Sequence, residues 1–335
     1  KLSKVLEEQG YRYHDFLGKG GFGTVVSAWQ TVKVDKHTIE RLVAIKTLNP
    51  NAPKEAKDGF FREAEISLEE KYRHDGIVEG LDMFKEGNLY NLVTKYVVGP
   101  NLKEIIKRDK VLPIEFSSAV IYKIGKVLEF LHDPKRSVTH RDIKPANIII
   151  TNDGRVYLLD FGSAKIGSMS DDVFVGTPPY MSPEQIKGNA NPQSDMWSLG
   201  VTYYEALTSE KPFRSGKDDE QEYMQDIFAK VLERKFDSPR KLDREIPKKV
   251  SNIVKKSLGG VKFLGIPILR RYQSANELTH DLENCFGFNN GNVDDTIKDY
   301  ISTRNIFGNL GHNPEIDYFE YPNYRHPENL EHIVA

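Results

Sequence analysis

Three side chains that can handle protons or metal ions lie close together between residues 140 and 162. Asp142 and Asn147 belong to the run His140-Arg141-Asp142-Ile143-Lys144-Pro145-Ala146-Asn147, and Asp160 opens Asp160-Phe161-Gly162. Carboxylate and amide oxygens are ligands that suit Mg²⁺. A carboxylate can also accept or orient a hydroxyl proton, which makes Asp142 a candidate general base. The ammonium of Lys144 would neutralise charge on a transferred phosphoryl group.

A β-hairpin would bring two of these side chains together. The apolar or β-branched runs Ile148–Thr151 and Arg155–Leu159 flank Asn152-Asp153-Gly154, which is a turn signal. Asn147 would stand at the start of one strand and Asp160 at the end of the other. The sequence therefore predicts that these two side chains lie side by side, as a metal site requires.

Two features nearer the N-terminus could hold phosphates. Gly18-x-Gly20-x-x-Gly23 lets backbone N–H groups approach a phosphate closely, and the strand-like run that follows it excludes a dinucleotide-binding motif, which needs a helix there. Lys46 ends an apolar run, so its ammonium should point into a cleft and needs a carboxylate partner. Glu65 on the next predicted helix can supply it, with Glu63 and Glu69 as rivals.

Composition restricts the function classes. The 335 residues carry a net charge of −2, which gives no general attraction to nucleic acid or to membranes. A single cysteine, Cys285, excludes an internal disulfide and fits a reducing, cytoplasmic location. No apolar stretch is long enough to span a membrane, and the N-terminus does not resemble a signal peptide. Because the chain begins with Lys1, we expect a longer protein whose targeting segment or further domain could lie outside it.

The periodicity predicts a small β-rich half followed by a larger helical half. Strands are expected at Val25–Trp29, Leu42–Lys46 and Leu89–Thr94, with a long polar connection over Thr31–Arg41. Helices are expected over the ranges Phe60–Lys71, Ile114–His132, Asp195–Ser209, Asp219–Arg234 and Ser274–Cys285. From Phe286 onward we find no clear periodicity, although the aromatic content indicates a segment that packs on the rest of the chain or on a partner.

Six motifs that follow one another along the chain together resemble those of a known protein family. They are Gly18–Val25, Val43–Lys46, His140–Asn147, Asp160–Gly162, Gly176–Glu184 and Asp195–Gly200. The set resembles eukaryotic-type serine/threonine protein kinases and covers about residues 11–287. The resemblance implies an α+β, bilobal fold, with a five-stranded β lobe carrying one main helix and a larger, mainly helical lobe.

The resemblance also implies domain limits. A kinase domain would occupy residues 1–287, with the small lobe at about 11–94, the hinge at 95–101 and the large lobe at 102–287. Residues 288–335 would form a C-terminal extension that packs on the kinase domain or on a partner.

By resemblance, the chain would transfer the γ-phosphoryl group of ATP to Ser or Thr hydroxyls of protein substrates, with Mg²⁺ as the metal and Mn²⁺ as its alternative. The catalytic set would be Asp142, Lys144, Lys46 and Glu65, with Asn147 and Asp160 on the metal. Spacing from His74 favours Glu65 over Glu63. The residues assigned to ATP are Gly18, Lys19, Gly20, Gly21, Phe22, Gly23, Val25, Ala44, Lys46, Thr94, Lys95, Val97, Asn147, Ile149 and Asp160.

The resemblance further implies several contacts outside the nucleotide site. Thr177 would bond Asp142 and Lys144, which with Lys144 itself indicates serine/threonine specificity. Arg141 would attract a phosphate on the activation segment 160–184, where Ser168, Ser170 and Thr177 are candidate phosphosites and Asp171 and Asp172 could mimic the charge. Glu184 would pair with Arg271, and Asp195 would anchor the backbone around His140-Arg141.

Departures from the family pattern leave alternatives open. The helix position four beyond Glu65 is Glu69 rather than an apolar residue, so a regulatory partner or the C-terminal tail could complete the small lobe. A catalytically inactive, scaffolding member of the family is one rival, although the Lys46, Asp142 and Asp160 positions are all filled. A kinase with a small-molecule acceptor is another, which the Gly176–Glu184 segment argues against.

Overall fold

The computed structural model describes residues 6–20, 23–35, 37–167, 175–259, 262–263, 266–267, 270–289, 291–304 and 306. The described residues fall into two compact units. One is β-rich and lies within Lys1–Arg73 and Val78–Val98. The other comprises His74–Ile77 and Gly99–Arg304 and is mainly helical. The predicted α+β class is confirmed.

The β-rich unit is built on a five-stranded antiparallel sheet in the order β1-β2-β3-β5-β4. Its strands are β1 (Tyr11–Gly20), β2 (Gly23–Val34), β3 (His37–Leu48), β4 (Gly80–Glu86) and β5 (Leu89–Lys95). Successive side chains of a strand point to opposite faces. One face buries Val26, Ala28, Val43, Ile45 and Val93 with Leu6 and Tyr11.

Register places four residues on the other face of this sheet. Val25 lies opposite Lys46, and Ala44 lies opposite Thr94. Cross-strand partners share a face, and Ala44 is two residues from Lys46, so all four side chains project on one side. The helix α1 (Lys54–Leu68) packs on this side too, because its Phe60 and Ala64 cluster with Leu92, the partner of Lys46.

The expected polar connection over Thr31–Arg41 is wrong. Both strands continue through it as a hairpin, with Thr31 opposite Glu40 and Val34 opposite His37, and Asp35 takes a left-handed φ of 54°. Most side chains described in this ribbon are exposed to solvent, and most of its residues are polar although its backbone is paired. A solvated hairpin has no buried face, and polarity alone made it resemble a loop.

The helical unit is organised around α3 (Ile114–His132), whose bounds agree with the prediction. Its other elements are α2 (Leu102–Asp109), β6 (Val138–Thr139), β7 (Ile148–Ile150), β8 (Val156–Leu158), β9 (Lys165–Ile166), α4 (Pro183–Ile186), α5 (Pro192–Thr208), α6 (Glu220–Glu233), α7 (Pro239–Leu242), α8 (Lys248–Ser257), β10 (Lys262–Phe263), β11 (Ile266–Pro267), α9 (Ala275–Phe286) and α10 (Asn292–Thr303). Helices α5, α9 and α10 all contact α3. None of the helices in the described ranges is long and apolar enough to cross a membrane.

Helix α10 falls where no periodicity was recognised. It buries Val293, Ile297, Tyr300 and Ile301, which are spaced at three and four residues as one helix face requires. The Tyr300 ring lies 4.0 Å from that of Phe116. Four apolar residues between polar ones gave a weak signal, and the Asn- and Gly-rich flanks concealed it.

A largely buried ion pair joins α4 to the loop just before α9, as the resemblance implied. Nη1 of Arg271 donates to Glu184 at 2.9 Å, and Nη2 of Arg271 contacts the other carboxylate oxygen. Burial favours a raised pKa for Glu184, but the hydrogen bonds and charge of Arg271 outweigh it and hold that pKa below its ordinary value. Folding therefore gains stability from the ionised carboxylate.

We predict that Glu184→Gln lowers the free energy of unfolding by about 3 kcal/mol near neutral pH, since it leaves Arg271 buried without its partner. The loss should shrink on acidification. A depressed folded pKa gives stability that is complete above the unfolded pKa of about 4.3 and disappears as pH falls through the folded value. Urea unfolding of both proteins from about pH 7 to pH 3.5 measures this, and a difference that stays constant would contradict the account.

Candidate active site

The hairpin predicted between Asn147 and Asp160 is present. Strands β7 and β8 pair antiparallel, with Ile148 opposite Leu158. The Leu159 N–H donates to the Asn147 carbonyl at 2.8 Å, which extends the pairing to the candidate metal ligand Asn147 and to the residue before the other, Asp160. Gly154 makes the turn with a φ of 81°, and a Cβ there would lie 2.6 Å from the Asp294 carbonyl of α10. The turn therefore needs glycine for both its conformation and its packing.

Asp142, Lys144 and Thr177 form a closed triangle of hydrogen bonds. The Lys144 ammonium donates to Asp142 Oδ2 at 2.6 Å and to Thr177 Oγ1 at 2.8 Å. The Thr177 hydroxyl donates to Asp142 Oδ1 at 2.7 Å. Asp142 is buried, and this triangle holds both its carboxylate oxygens in fixed positions. The contacts implied for Thr177 are therefore present.

Asn147 and Asp160 have the chemistry of a divalent-cation site. The Asn147 side-chain amide donates to the Asp142 carbonyl at 2.9 Å, which leaves its Oδ1 as the atom available to a metal. Asp160 has a left-handed φ of 64°. Within the described ranges no cluster of three His, Cys, Asp or Glu side chains could hold an ion unaided. Such a sparse donor set fits a cation that takes its remaining ligands from phosphate oxygens and water.

One buried carboxylate holds the loop that carries these residues. Asp195, fully buried at the start of α5, accepts from the backbone N–H groups of His140 and Arg141 at 2.8 Å each. His132 Nε2 lies 2.8 Å from Asp195 Oδ2. Arg141 has a φ of 68°, a conformation that costs energy for a residue with a side chain. The Asp195 bonds offset that cost, and the anchor implied for Asp195 is present.

The Arg141 side chain reaches the segment after Asp160. Its Nε donates to the Ser163 carbonyl at 2.6 Å and its Nη2 to the Ala164 carbonyl at 3.3 Å. Two of the candidate phosphosites, Ser168 and Ser170, lie outside the described residues, as do Asp171 and Asp172. The third, Thr177, is disfavoured because its hydroxyl is engaged with Asp142 and Lys144, and a phosphate there would meet the Asp142 charge.

The predicted pairing of Lys46 with Glu65 is wrong. Lys46 donates to Glu63 at 2.5 Å, while Glu65 is 39% exposed and lies 3.6 Å from Lys71. Two residues along a helix are about 200° apart around its axis, so only one of these glutamates can face Lys46. Counting back from His74 was misleading because helix α1 ends at Leu68 and a 3₁₀ turn, Glu70–Tyr72, follows it.

The remaining nucleotide candidates are distributed over both units. Gly18, Lys19, Gly20 and Gly23 lie on β1 and β2, whereas Gly21 and Phe22 are outside the described residues. A Cβ at Gly23 would lie 2.7 Å from the Thr47 carbonyl, so this position requires glycine. The Lys95 N–H donates to the Glu79 carbonyl at 2.9 Å, and Lys95 lies opposite Val43 at the end of β5. Thr94 and Val97 are half-buried, and Ile149 lies in the helical unit on β7.

Sequence reasoning missed a positioning residue, Gln185. Its side-chain amide donates to the Arg141 carbonyl at 2.7 Å and to the Val175 carbonyl at 2.8 Å. It therefore links the loop of Asp142 to the segment of Thr177. Gly176 accompanies it with a φ of 114°, and a Cβ at that position would lie 2.8 Å from the Arg141 carbonyl. Gln185 is a single glutamine in a run of mixed polarity, so neither its residue type nor its spacing indicates a positioning role.

We predict that Asp195→Ala lowers the free energy of unfolding by about 3–5 kcal/mol, because three buried donors lose their acceptor together. Asp226→Ala is the matched control, since Asp226 lies near the surface, where it pairs with Lys230 at 2.8 Å (i,i+4) and hydrogen-bonds Ser215. Chemical denaturation measures both, and equal midpoints for the two variants would show that Asp195 is not the anchor.

Comparison with known proteins agrees with this geometry. The protein kinase domain family matches residues 11–261. A probable serine/threonine-protein kinase of Clostridium perfringens is 30% identical over 295 residues, which are 84% of this chain and 39% of that protein.

Two further relatives come from another bacterium and from a plant. The serine/threonine-protein kinase PrkC of Bacillus subtilis is 28% identical over 82% of this chain and 40% of its own length. The serine/threonine-protein kinase TIO of Arabidopsis thaliana is 35% identical over 61% of this chain and 15% of its own length. The chain thus spans about two fifths of the bacterial relatives it matches. The resemblance drawn from the motifs is confirmed, and the chain belongs to the protein kinase family.

Proposed function

We propose that the chain is the catalytic domain of a serine/threonine protein kinase, which transfers the γ-phosphoryl group of ATP to hydroxyls of protein substrates. The observation that carries this proposal is the triangle of Asp142, Lys144 and Thr177. It places a buried carboxylate, an ammonium and a hydroxyl within hydrogen-bond reach of one another. The three relatives described above are all named serine/threonine-protein kinases, which supports the same specificity.

Asp142 is the proposed general base. Its carboxylate would accept, or orient, the proton of the acceptor hydroxyl as that oxygen attacks phosphorus. Lys144 lies on the same carboxylate and would neutralise charge that develops on the transferred group. Thr177 fixes both side chains, so the base and the cation need no rearrangement when the substrate arrives.

Mg²⁺ is the proposed metal, with Mn²⁺ a possible substitute, and Asn147 and Asp160 its proposed ligands. Bound there, the cation would neutralise phosphate charge and orient the nucleotide. The Asn147 amide keeps its oxygen free by donating to the Asp142 backbone, which couples the metal ligand to the base. The proposed phosphate clamp in the β-rich unit is Lys46, held by Glu63.

The remaining nucleotide contacts are proposed from the family pattern and from the sheet register. Gly18 to Gly23 would cover the phosphates, and Val25 and Ala44 share the sheet face of Lys46. Ile149 would contact the adenine ring, with Thr94, Lys95 and Val97 at its edge. We also propose a kinase domain over residues 1–287 and a C-terminal extension over 288–335. A cytoplasmic location is proposed from the single cysteine, which fits a reducing compartment.

Asp142→Asn should lower phosphotransfer to a generic basic protein by about a thousandfold, since the base is lost while the fold is kept. Labelled ATP with Mg²⁺ measures the rate, and phosphoamino-acid analysis of the product should find phosphoserine or phosphothreonine. Asp153→Asn, in the exposed hairpin turn, is the control and should retain activity.

Two results would contradict the proposal. Full activity of Asp142→Asn would show that Asp142 is not the general base. An active wild-type protein that labels only a small molecule, or only tyrosine, would refute the acceptor class.

Glu63→Gln should lower kcat/KM by about tenfold or more, because Lys46 loses its ionised partner and its position. Glu65→Gln is the matched control on the same helix and should change kcat/KM less than about twofold, since that side chain is exposed. The same labelled-ATP assay decides between them. A larger loss in Glu65→Gln would restore the sequence-based assignment.

A further inference from the structure

A cavity of about 350 Å³ in the helical unit is lined by cationic and polar side chains, with no acidic one among them. We call it the basic cavity, and its lining residues are Ser238, Arg240, Lys241, Arg244, Lys248, Ser251, Asn252 and Lys255. Five of these eight carry a positive charge on a chain whose net charge is −2. The basic cavity is thus a local concentration of charge and does not reflect a generally basic surface.

Helix α8 supplies one wall of the basic cavity. Lys248, Ser251, Asn252 and Lys255 follow the spacing i, i+3, i+4 and i+7, so they form one continuous stripe. The helix buries Val250, Ile253 and Val254, which are apolar. A polar stripe at this spacing aligns four hydrogen-bonding or charged groups along the cavity. The other wall is α7 with the loop that leads to α8.

Most of the charge in the basic cavity is not neutralised by protein groups. Lys241 pairs with Asp237 at 2.7 Å, and Arg240 donates to the Ile246 carbonyl at 3.0 Å. Arg244, Lys248 and Lys255 form no side-chain hydrogen bond or ion pair with any residue in the described ranges. Of the nearby acids, Asp243 accepts from the Glu245 N–H at 2.9 Å. Like charges that converge on one concavity repel each other, and a bound anion would relieve that repulsion.

Two further features of α8 favour an anion. Ser251 is 1% exposed, and its hydroxyl has no hydrogen-bond partner among the described residues, which is uncommon for a buried polar atom. The helix also begins without a side-chain cap and has no acidic residue in its first turn. Its first N–H groups and its dipole therefore favour negative charge at the end that Lys248 occupies.

We propose that the basic cavity binds a phosphate monoester, such as the side chain of a phosphorylated serine or threonine. A phosphate dianion has three oxygens that can each accept several hydrogen bonds, which matches a site with arginine, lysine and hydroxyl donors. A carboxylate has one charge and would leave most of these cations unmatched. A single concavity suits one phosphorylated side chain, whereas nucleic acid and membrane surfaces require an extended basic face.

Calorimetric titration tests the proposal without any need for phosphotransfer, so its failure is separate from failure of the proposed function. The probes are a short peptide with one phosphoserine, its unphosphorylated form and inorganic phosphate. Wild-type protein should bind the phosphopeptide at least about tenfold more tightly than the unphosphorylated form. Tighter binding of the phosphopeptide than of inorganic phosphate identifies a protein ligand, and equal binding identifies a small phosphate; both results support the site.

The double variant Lys248→Gln, Lys255→Gln should lose that preference. Lys249→Gln is the matched control, because Lys249 stands on the same helix turn with the same charge but does not line the basic cavity. Equal preference in the double variant and the control would overturn the proposal. Binding to vesicles that contain phosphatidylserine, with no binding of either phosphate probe, would also overturn it.

Ser251→Ala provides a second, independent readout. In the absence of phosphate this variant should be as stable to heat as the wild type or more stable, since it removes a buried hydroxyl that has no partner. In the presence of the phosphopeptide it should show a smaller rise in Tm than the wild type. A Tm rise equal to that of the wild type would show that Ser251 takes no part in binding.

Discussion

The loop that carries Asp142 and Lys144 depends on one buried carboxylate. Asp195 accepts the N–H groups of His140 and Arg141, and without it these donors would be buried and unpaired at a residue with a left-handed φ. The loop geometry on either side follows from this anchor. Asp142 and Lys144 follow directly in the chain, and the Arg141 carbonyl accepts from Gln185. The side chains proposed to carry the chemistry are therefore held by residues that have no proposed contact with the substrate.

In the β-rich unit, side chains proposed to contact the nucleotide are also held by distant structure. There the strand register, rather than a buried carboxylate, fixes their positions. Once β3 pairs with β2 and β5, the positions of Val25, Ala44, Lys46 and Thr94 on one face are fixed together. Helix α1 then packs on that face through Phe60 and Ala64 and brings Glu63 to Lys46. A shift of one residue in either pairing would turn the side chains of the shifted strand to the opposite face and separate them from the others.

The sequence alone predicted the structure correctly where residue types and local turn geometry indicate the same element. The hairpin from Asn147 to Asp160 has a turn signal between two apolar runs, and the structure has the strands as predicted. The pair of Glu184 with Arg271 also followed from the resemblance. Glu65 failed because a count along the chain cannot detect the 3₁₀ turn at Glu70–Tyr72, which changes the number of residues after the helix. Gln185 and the φ of Arg141 could not be predicted, because both depend on tertiary contacts.

The central claim is that this anchored loop and the hairpin already place the base and the metal ligands for phosphoryl transfer. A crystal structure of the chain with Mg²⁺ and a non-hydrolysable ATP analogue tests it most directly. The account predicts a cation bound by Asn147 Oδ1 and the Asp160 carboxylate at about 2.0–2.1 Å, with the Asp142–Lys144–Thr177 triangle unchanged. A nucleotide bound elsewhere, or a cation held by other side chains, would contradict it.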